Sequence, residues 1–153
     1  MADTFTLVLE NGDVVSKKIE SYEKELIKEL EKVTQKFASK TASIAKKNAP
    51  VGEPRMVRGR LYSGGNLKSS IKQRDVSRSL GQGYKLARTV TARGSKGNHV
   101  HLVELGTGDR TQTETKRFTG KMPAEPFMAR SEAQVSGDYF EAVRKIVFKH
   151  EEF

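Results

Sequence analysis

The sequence predicts an α+β fold: an antiparallel β-sheet packed by a long helix in the N-terminal half and by a C-terminal helix. An N-terminal β-hairpin and two long flexible loops complete the expectation. Three observations carry it. One stretch has apolar residues at helical period, several short stretches alternate between glycine-rich connectors, and the closing segment returns to helical period. With 153 residues and 35% hydrophobic side chains, the chain can bury one core, so residues 1–153 are expected to form a single domain.

Residues 1–20 are expected to form a hairpin arm. Thr4 to Leu9 alternates, with Phe5, Leu7 and Leu9 on one face, and Asn11-Gly12 offers the two positive-φ residues of a tight turn. Val14 to Ile19 would return as the second strand. Ser21 is the expected N-cap of a long helix over 21–49. Leu26, Leu30, Val33, Phe37, Ile44 and Ala45 form its stripe, with Thr41 as a polar gap. Glutamates gather near its start and lysines near its end, as the helix dipole favours. Asn48-Ala49-Pro50 ends it, because the residue before proline is pushed out of helical geometry.

Residues 50–66, rich in glycine and containing Arg55, Arg58 and Arg60, read as an exposed basic loop. Residues 67–105 read as a meander of three strands, Leu67 to Val76, Tyr84 to Arg93 and His99 to Leu105. A second polar loop over 106–121 carries Arg110, Lys116 and Arg117. Residues 122–153 begin extended, with two prolines, and become helical from Gly137 or Asp138, with Phe140, Val143, Ile146 and Val147 facing inward.

The net charge of +9 is unevenly spread. Residues 51–121 hold 15 basic and five acidic side chains, while the flanking segments are close to balanced. Such a segment would neutralise phosphates on a nucleic acid, steer assembly with an acidic protein partner, or simply remain solvated. Its aromatics, Tyr62, Tyr84 and Phe118, are too widely spaced to form a base-stacking platform. The absence of cysteine excludes disulfides, thiol catalysis and cysteine-ligated metals, and fits maturation in a reducing compartment. Neither a signal peptide nor a membrane span is expected.

Little in the chain suggests catalysis. His99 and His101, two apart on the expected strand, would share a face, but Glu104 would point to the opposite one and no third metal ligand is in sight. Ser69-Ser70 lacks a nucleophile elbow, and neither the phosphate-loop nor the dinucleotide-binding glycine signature occurs. A non-enzymatic protein without cofactor or metal is expected.

Four stretches share a different logic. Ala49-Pro50-Val51 follows the long helix, Leu67 and Ser70-Ile71 open a strand, Val103-Glu104 and Gly106-Thr107 close one, and Pro126-Phe127 leads into the last helix. In this order and spacing the chain resembles the tail-component family of long-tailed bacteriophages, the neck, tail-completion and head-tail joining proteins, over about residues 22–148. It departs from the family pattern where Gly64 replaces a threonine and His99-Val100 replace tyrosine and alanine. About ten extra residues near 53–63 lengthen the basic loop.

The resemblance implies a virion protein that forms a homo-oligomeric ring in the neck or tail, assembled in the host cytoplasm. It would join portal, connector or stopper proteins to a tail terminator or tail tube, with weak contact to DNA in the channel and none to membrane. Arg55, Arg58, Arg60, Glu104, Arg110, Lys116 and Arg117 are the expected assembly contacts; Pro50, Leu67, Ile71, Gly106, Pro126 and Phe127 are the expected structural positions. Glu104 would either cap a turn through backbone amides or pair with an arginine at a subunit contact, the local role being favoured. The alternative function is sequence-independent nucleic-acid binding through the basic central segment.

Overall fold

The computed structural model describes residues 12–57, 59–77, 83–111 and 118–151, and its architecture is α+β. The long helix, α1, runs from Gly12 to Asn48 and thus begins nine residues before the expected cap at Ser21. The anticipated return strand, Val14 to Ile19, is therefore helical, while its expected partner, Thr4 to Leu9, lies outside the described residues. Helix propagation explains the difference. Once the amphipathic stretch beyond Ser21 is nucleated, each further residue fixed gains one hydrogen bond. The added turns find no core. Val14 and residues 16–20 are exposed.

The second long helix, α4 (Phe127–Glu151), lies antiparallel to α1. Cross-links between them run in reverse order along both. Asn48 Nδ2 donates to Ser131 Oγ at 3.0 Å, Lys40 Nζ to Asp138 Oδ2 at 2.6 Å, and Lys149 Nζ to Glu29 Oε1 at 2.8 Å. The Phe37 and Tyr139 rings meet edge to face, 5.6 Å apart. α4 starts ten residues earlier than Gly137, because Phe127, Ser131 and Val135, spaced by four, form one buried face. Phe140 and Val147, expected to face inward, are exposed, whereas Val143 and Ile146 are half-buried.

Instead of one meander sheet, the described residues form three separate antiparallel ladders of two strands each. β1 (Arg55–Val57) pairs with β2 (Arg60–Tyr62) inside the expected first loop. β3 (Ile71–Asp75) pairs with β4 (Arg88–Ala92), with Ile71 opposite Ala92 and Asp75 opposite Arg88. β5 (Thr107–Thr111) pairs irregularly with β6 (Phe118–Met122) inside the expected second loop. The segment before β3 is a short helix, α2 (Asn66–Ser70). The expected third strand of the meander is also a helix, α3 (Val100–Leu105). Val100 and Val103, three apart, both pack on the core, a spacing a strand would have split between opposite faces.

The core lies where these pieces meet. Ala45 and Ala49 of α1, Leu67 of α2, Ile71 of β3, Ala92 of β4, Val103 of α3 and Phe127 of α4 form one buried cluster, with Val90, Val100, Met122 and Met128 around it. Small alanines let the β3–β4 ladder approach α1 closely, and Phe127, fully buried, fills the remaining space. The connector before β4 is tied along α1. Tyr84 donates to Glu23 at 3.1 Å and the Lys85 amide to Glu31 Oε1 at 2.7 Å.

Candidate functional site

Glu104 and Gly106 stand at the junction of α3, β5 and α4. The first N–H groups of α4 have no partner inside the helix. Phe127 N–H bonds to Glu125 O at 2.8 Å, while those of Met128 and Ala129 reach the two carboxylate oxygens of Glu104 at 3.0 and 2.9 Å. Pro126 has no side-chain acceptor to serve as cap, so the acid comes from α3. The charge suits the positive end of the helix. Glu104 therefore holds a helix N-terminus rather than a turn, and it is half-buried.

Two residues on, Gly106 adopts φ 71°, ψ −177°, a region open essentially to glycine alone. A Cβ there would lie 2.7 Å from Ala124 N and 2.9 Å from Met122 O. The close approach lets Glu125 N–H bond to Val103 O at 2.8 Å, stitching the segment before α4 to α3. Leu67, Ile71 and Phe127 meet in the core next to this junction, Pro50 is half-buried at the end of α1, and Pro126 is exposed just ahead of α4.

The basic positions are spread around the body. Arg55 and Arg60 are exposed on β1 and β2, and Arg110 is exposed on β5. Arg58, Lys116, Arg117 and Arg78 lie outside the described residues. Lys72 and Arg74 share the exposed face of β3, and Lys68, Arg93 and Lys96 are exposed nearby. His99 precedes α3 and His101 lies on it, both exposed. The strand alternation that would have put both on one face is absent here. Among the described residues, no three His, Asp or Glu side chains gather in a way that would hold a metal.

Two features had no sequence expectation. The first is a groove of about 790 Å³ between α1, α4 and β4, lined by Phe37, Val90, Val135, Tyr139 and Phe140, with Glu132 exposed at its edge. The second is a set of large apolar side chains in water. Leu105 is 78% exposed, Phe140 67%, Met56 65%, Leu61 64% and Phe118 60%. The four-residue spacing from Phe127 to Val135 would have disclosed the rotation of α4, and with it the outward position of Phe140.

Ion pairs tie α4 along α1 beside the groove. The Lys40 ammonium, hydrogen-bonded to Asp138, holds that carboxyl below its ordinary range. At the far end, the hydrogen bond from Lys149 depresses Glu29 likewise, assisted by His150, whose Nε2 lies 3.5 Å from Glu29 Oε2. His150 is buried, with its ring edge to face against Tyr22 and its carbonyl accepting the Tyr22 hydroxyl. No described helix is long and apolar enough to cross a membrane.

Residues 13–106, well over half of the chain, match the family model described as "Bacteriophage HK97-gp10, putative tail-component". No curated protein and no solved structure matches the chain.

Proposed function

Because the chain belongs to the HK97-gp10-like family of phage tail components, we propose that it is a ring-forming subunit of the neck or tail-completion apparatus, linking the portal and its connector or stopper to the tail terminator or tail tube. The observation that carries this reading is the set of large apolar side chains left in water on separate elements, Leu105 of α3, Phe118 of β6, Phe140 of α4, and Met56 and Leu61 of β1 and β2. A solitary subunit gains nothing from such exposure; a subunit covered by neighbours on more than one side does. Head-to-tail repetition of such contacts closes into a ring when the rotation between copies divides the circle. On this reading the work is architectural rather than catalytic, and assembly takes place in the host cytoplasm.

The test is direct. Electron microscopy and mass photometry of the purified protein, alone and with connector and tail-tube proteins, are expected to show closed rings seated at one end of the tube. Strictly monomeric behaviour in all these mixtures overturns the proposal. In the cognate phage, loss of the gene is expected to leave heads and tails unjoined.

A second reading, weak sequence-independent contact with DNA in the channel, is favoured by the exposed cations on one face of β3, Lys72 and Arg74, with Arg55 and Arg60 on β1 and β2. It predicts binding that falls with salt at about 0.9 log unit per log unit of salt for each phosphate neutralised. Absence of any salt-sensitive binding at low ionic strength removes it.

A further inference from the structure

We infer that residues 4–9 of one copy add as a strand to the free edge of β4 in the next copy, lying in the groove between α1, α4 and β4. The inference rests on the ring reading and specifies its contact. At the two ends of the β3–β4 ladder, Val76 N–H bonds to Ala87 O at 2.9 Å and Arg93 N–H to Ser70 O at 3.3 Å. Bonded and non-bonded pairs alternate along an antiparallel ladder, so Arg88 and Val90 turn their N–H and C=O groups away from β3. Among the described residues, β4 pairs with β3 alone, and the N–H groups of Arg88 and Val90 have no acceptor. Both residues line the groove, as do Leu86, Ala87 and Thr89. Successive residues of a strand point to opposite faces, so a hollow that touches five in a row runs along an edge. An open edge of this kind takes up an extended segment by backbone pairing.

The chain carries a segment that fits. Thr4 to Leu9, outside the described residues, has Phe5, Leu7 and Leu9 at every second position. Extended, Phe5 to Leu9 matches Leu86 to Val90 residue for residue in length. Laid on that edge, its apolar face meets the groove's wall, Phe37, Val135, Tyr139 and Phe140, and Thr4, Thr6 and Val8 face water. The charged residues of the groove have both signs, Arg88 with Glu104 and Glu132, so backbone pairing and apolar period select the occupant rather than charge. Reach makes the contact intermolecular. Thr34, the α1 residue of the groove nearest Gly12, is about 33 Å from it along the helix. Leu7 at full extension lies within about 18 Å of Gly12, so the segment cannot lie along β4 of its own copy. Segment and edge are different patches, and their contact is head-to-tail, the type that closes into a ring.

The absence of cysteine gives a clean test. Thr6→Cys and Glu132→Cys, the latter exposed at the groove's edge, are combined in one chain. The full protein is assembled and a flexible bis-maleimide is added. The expected product is a denaturation-resistant ladder of covalent oligomers extending to the ring's copy number, whereas a mixture of the two single variants stops at dimers. A double variant that stops at dimers, as reciprocal exchange would, or that links only within one chain, overturns the inference. Rings by microscopy without a ladder overturn it too and leave the ring reading standing; no self-association under any condition overturns both. As a second measurement, hydrogen exchange at the Arg88 and Val90 amides is expected to slow at least about tenfold on assembly. The Phe5→Asp, Leu7→Asp, Leu9→Asp variant is expected to keep its helical circular dichroism and lose that slowing. Slowing that survives in this variant, or that needs a tail-tube protein to appear, assigns the edge to another strand and overturns the inference.

Discussion

The carboxylate of Glu104 accepts the backbone N–H of Met128 at 3.0 Å, 24 residues further along the chain, and so closes the start of the second long helix from outside it. Its other oxygen takes the N–H of Ala129 at 2.9 Å. Glu104→Ala would leave both donors without this acceptor, and is expected to lower the unfolding free energy by about 1–2 kcal/mol. Glu104→Gln, which keeps one carbonyl oxygen, should cost less. Urea unfolding monitored by circular dichroism measures both; an Ala variant as stable as the parent would refute the capping role.

Gly106→Ala should be harder to tolerate than its size suggests. The backbone there is in glycine-only territory and the new methyl would meet Ala124 N and Met122 O. A loss of about 1–3 kcal/mol is expected, read as a lower thermal midpoint with weakened amide protection at Glu125.

Phe127 and Phe140 lie on the same helix and should behave oppositely. Phe127 is fully buried, so its replacement by alanine is expected to cost about 3–5 kcal/mol. Phe140, two-thirds exposed, should change monomer stability by no more than about 0.5 kcal/mol when replaced, and should instead weaken assembly. Parallel denaturation and light-scattering measurements separate the two effects.

The ion pairs along α1 and α4 predict a stability loss in acid. Asp138 is held below its ordinary range chiefly by the hydrogen bond from Lys40, and Glu29 chiefly by that from Lys149. A carboxyl depressed on folding contributes its stability fully above the unfolded value of about 4. The contribution is lost as pH falls through the lower folded value. Asp138→Asn should therefore melt below the parent at neutral pH, with the gap closing below about pH 4. Thermal midpoints across that range test it; a gap that persists unchanged in acid excludes the electrostatic origin. High salt should shrink the neutral-pH gap, since the pair is exposed.

The parts of the fold legible in the sequence were those with many repeats of one period. The α1 stripe from Leu26 to Ala45 spans several turns, and its half-buried positions in the structure follow it. Short segments were not legible in the same way. His99 to Leu105 alternates acceptably as a strand, yet Val100 and Val103 also fit a helical turn, and only packing against Leu67 and Phe127 decides between them. Of the turn signal Asn11-Gly12, Gly12 opens α1 and Asn11 lies outside the described residues. The glycine-rich segments hid two antiparallel ladders, because strands of three to five residues leave little periodic trace. At the site, the acid before Gly-Thr stood out, but its partner amides 24 residues away did not. The groove was invisible in sequence, since it exists only once two helices and a strand are brought together.

Because the three ladders of the described residues share no strand, and β1–β2 contributes nothing to the core cluster, the molecule can vary piecemeal. Lengthening or trimming residues 53–63 changes the span of one appendage while the registers of β3–β4 and β5–β6 are left alone. Changes of length in that ribbon can thus accumulate without redesigning the scaffold that carries it.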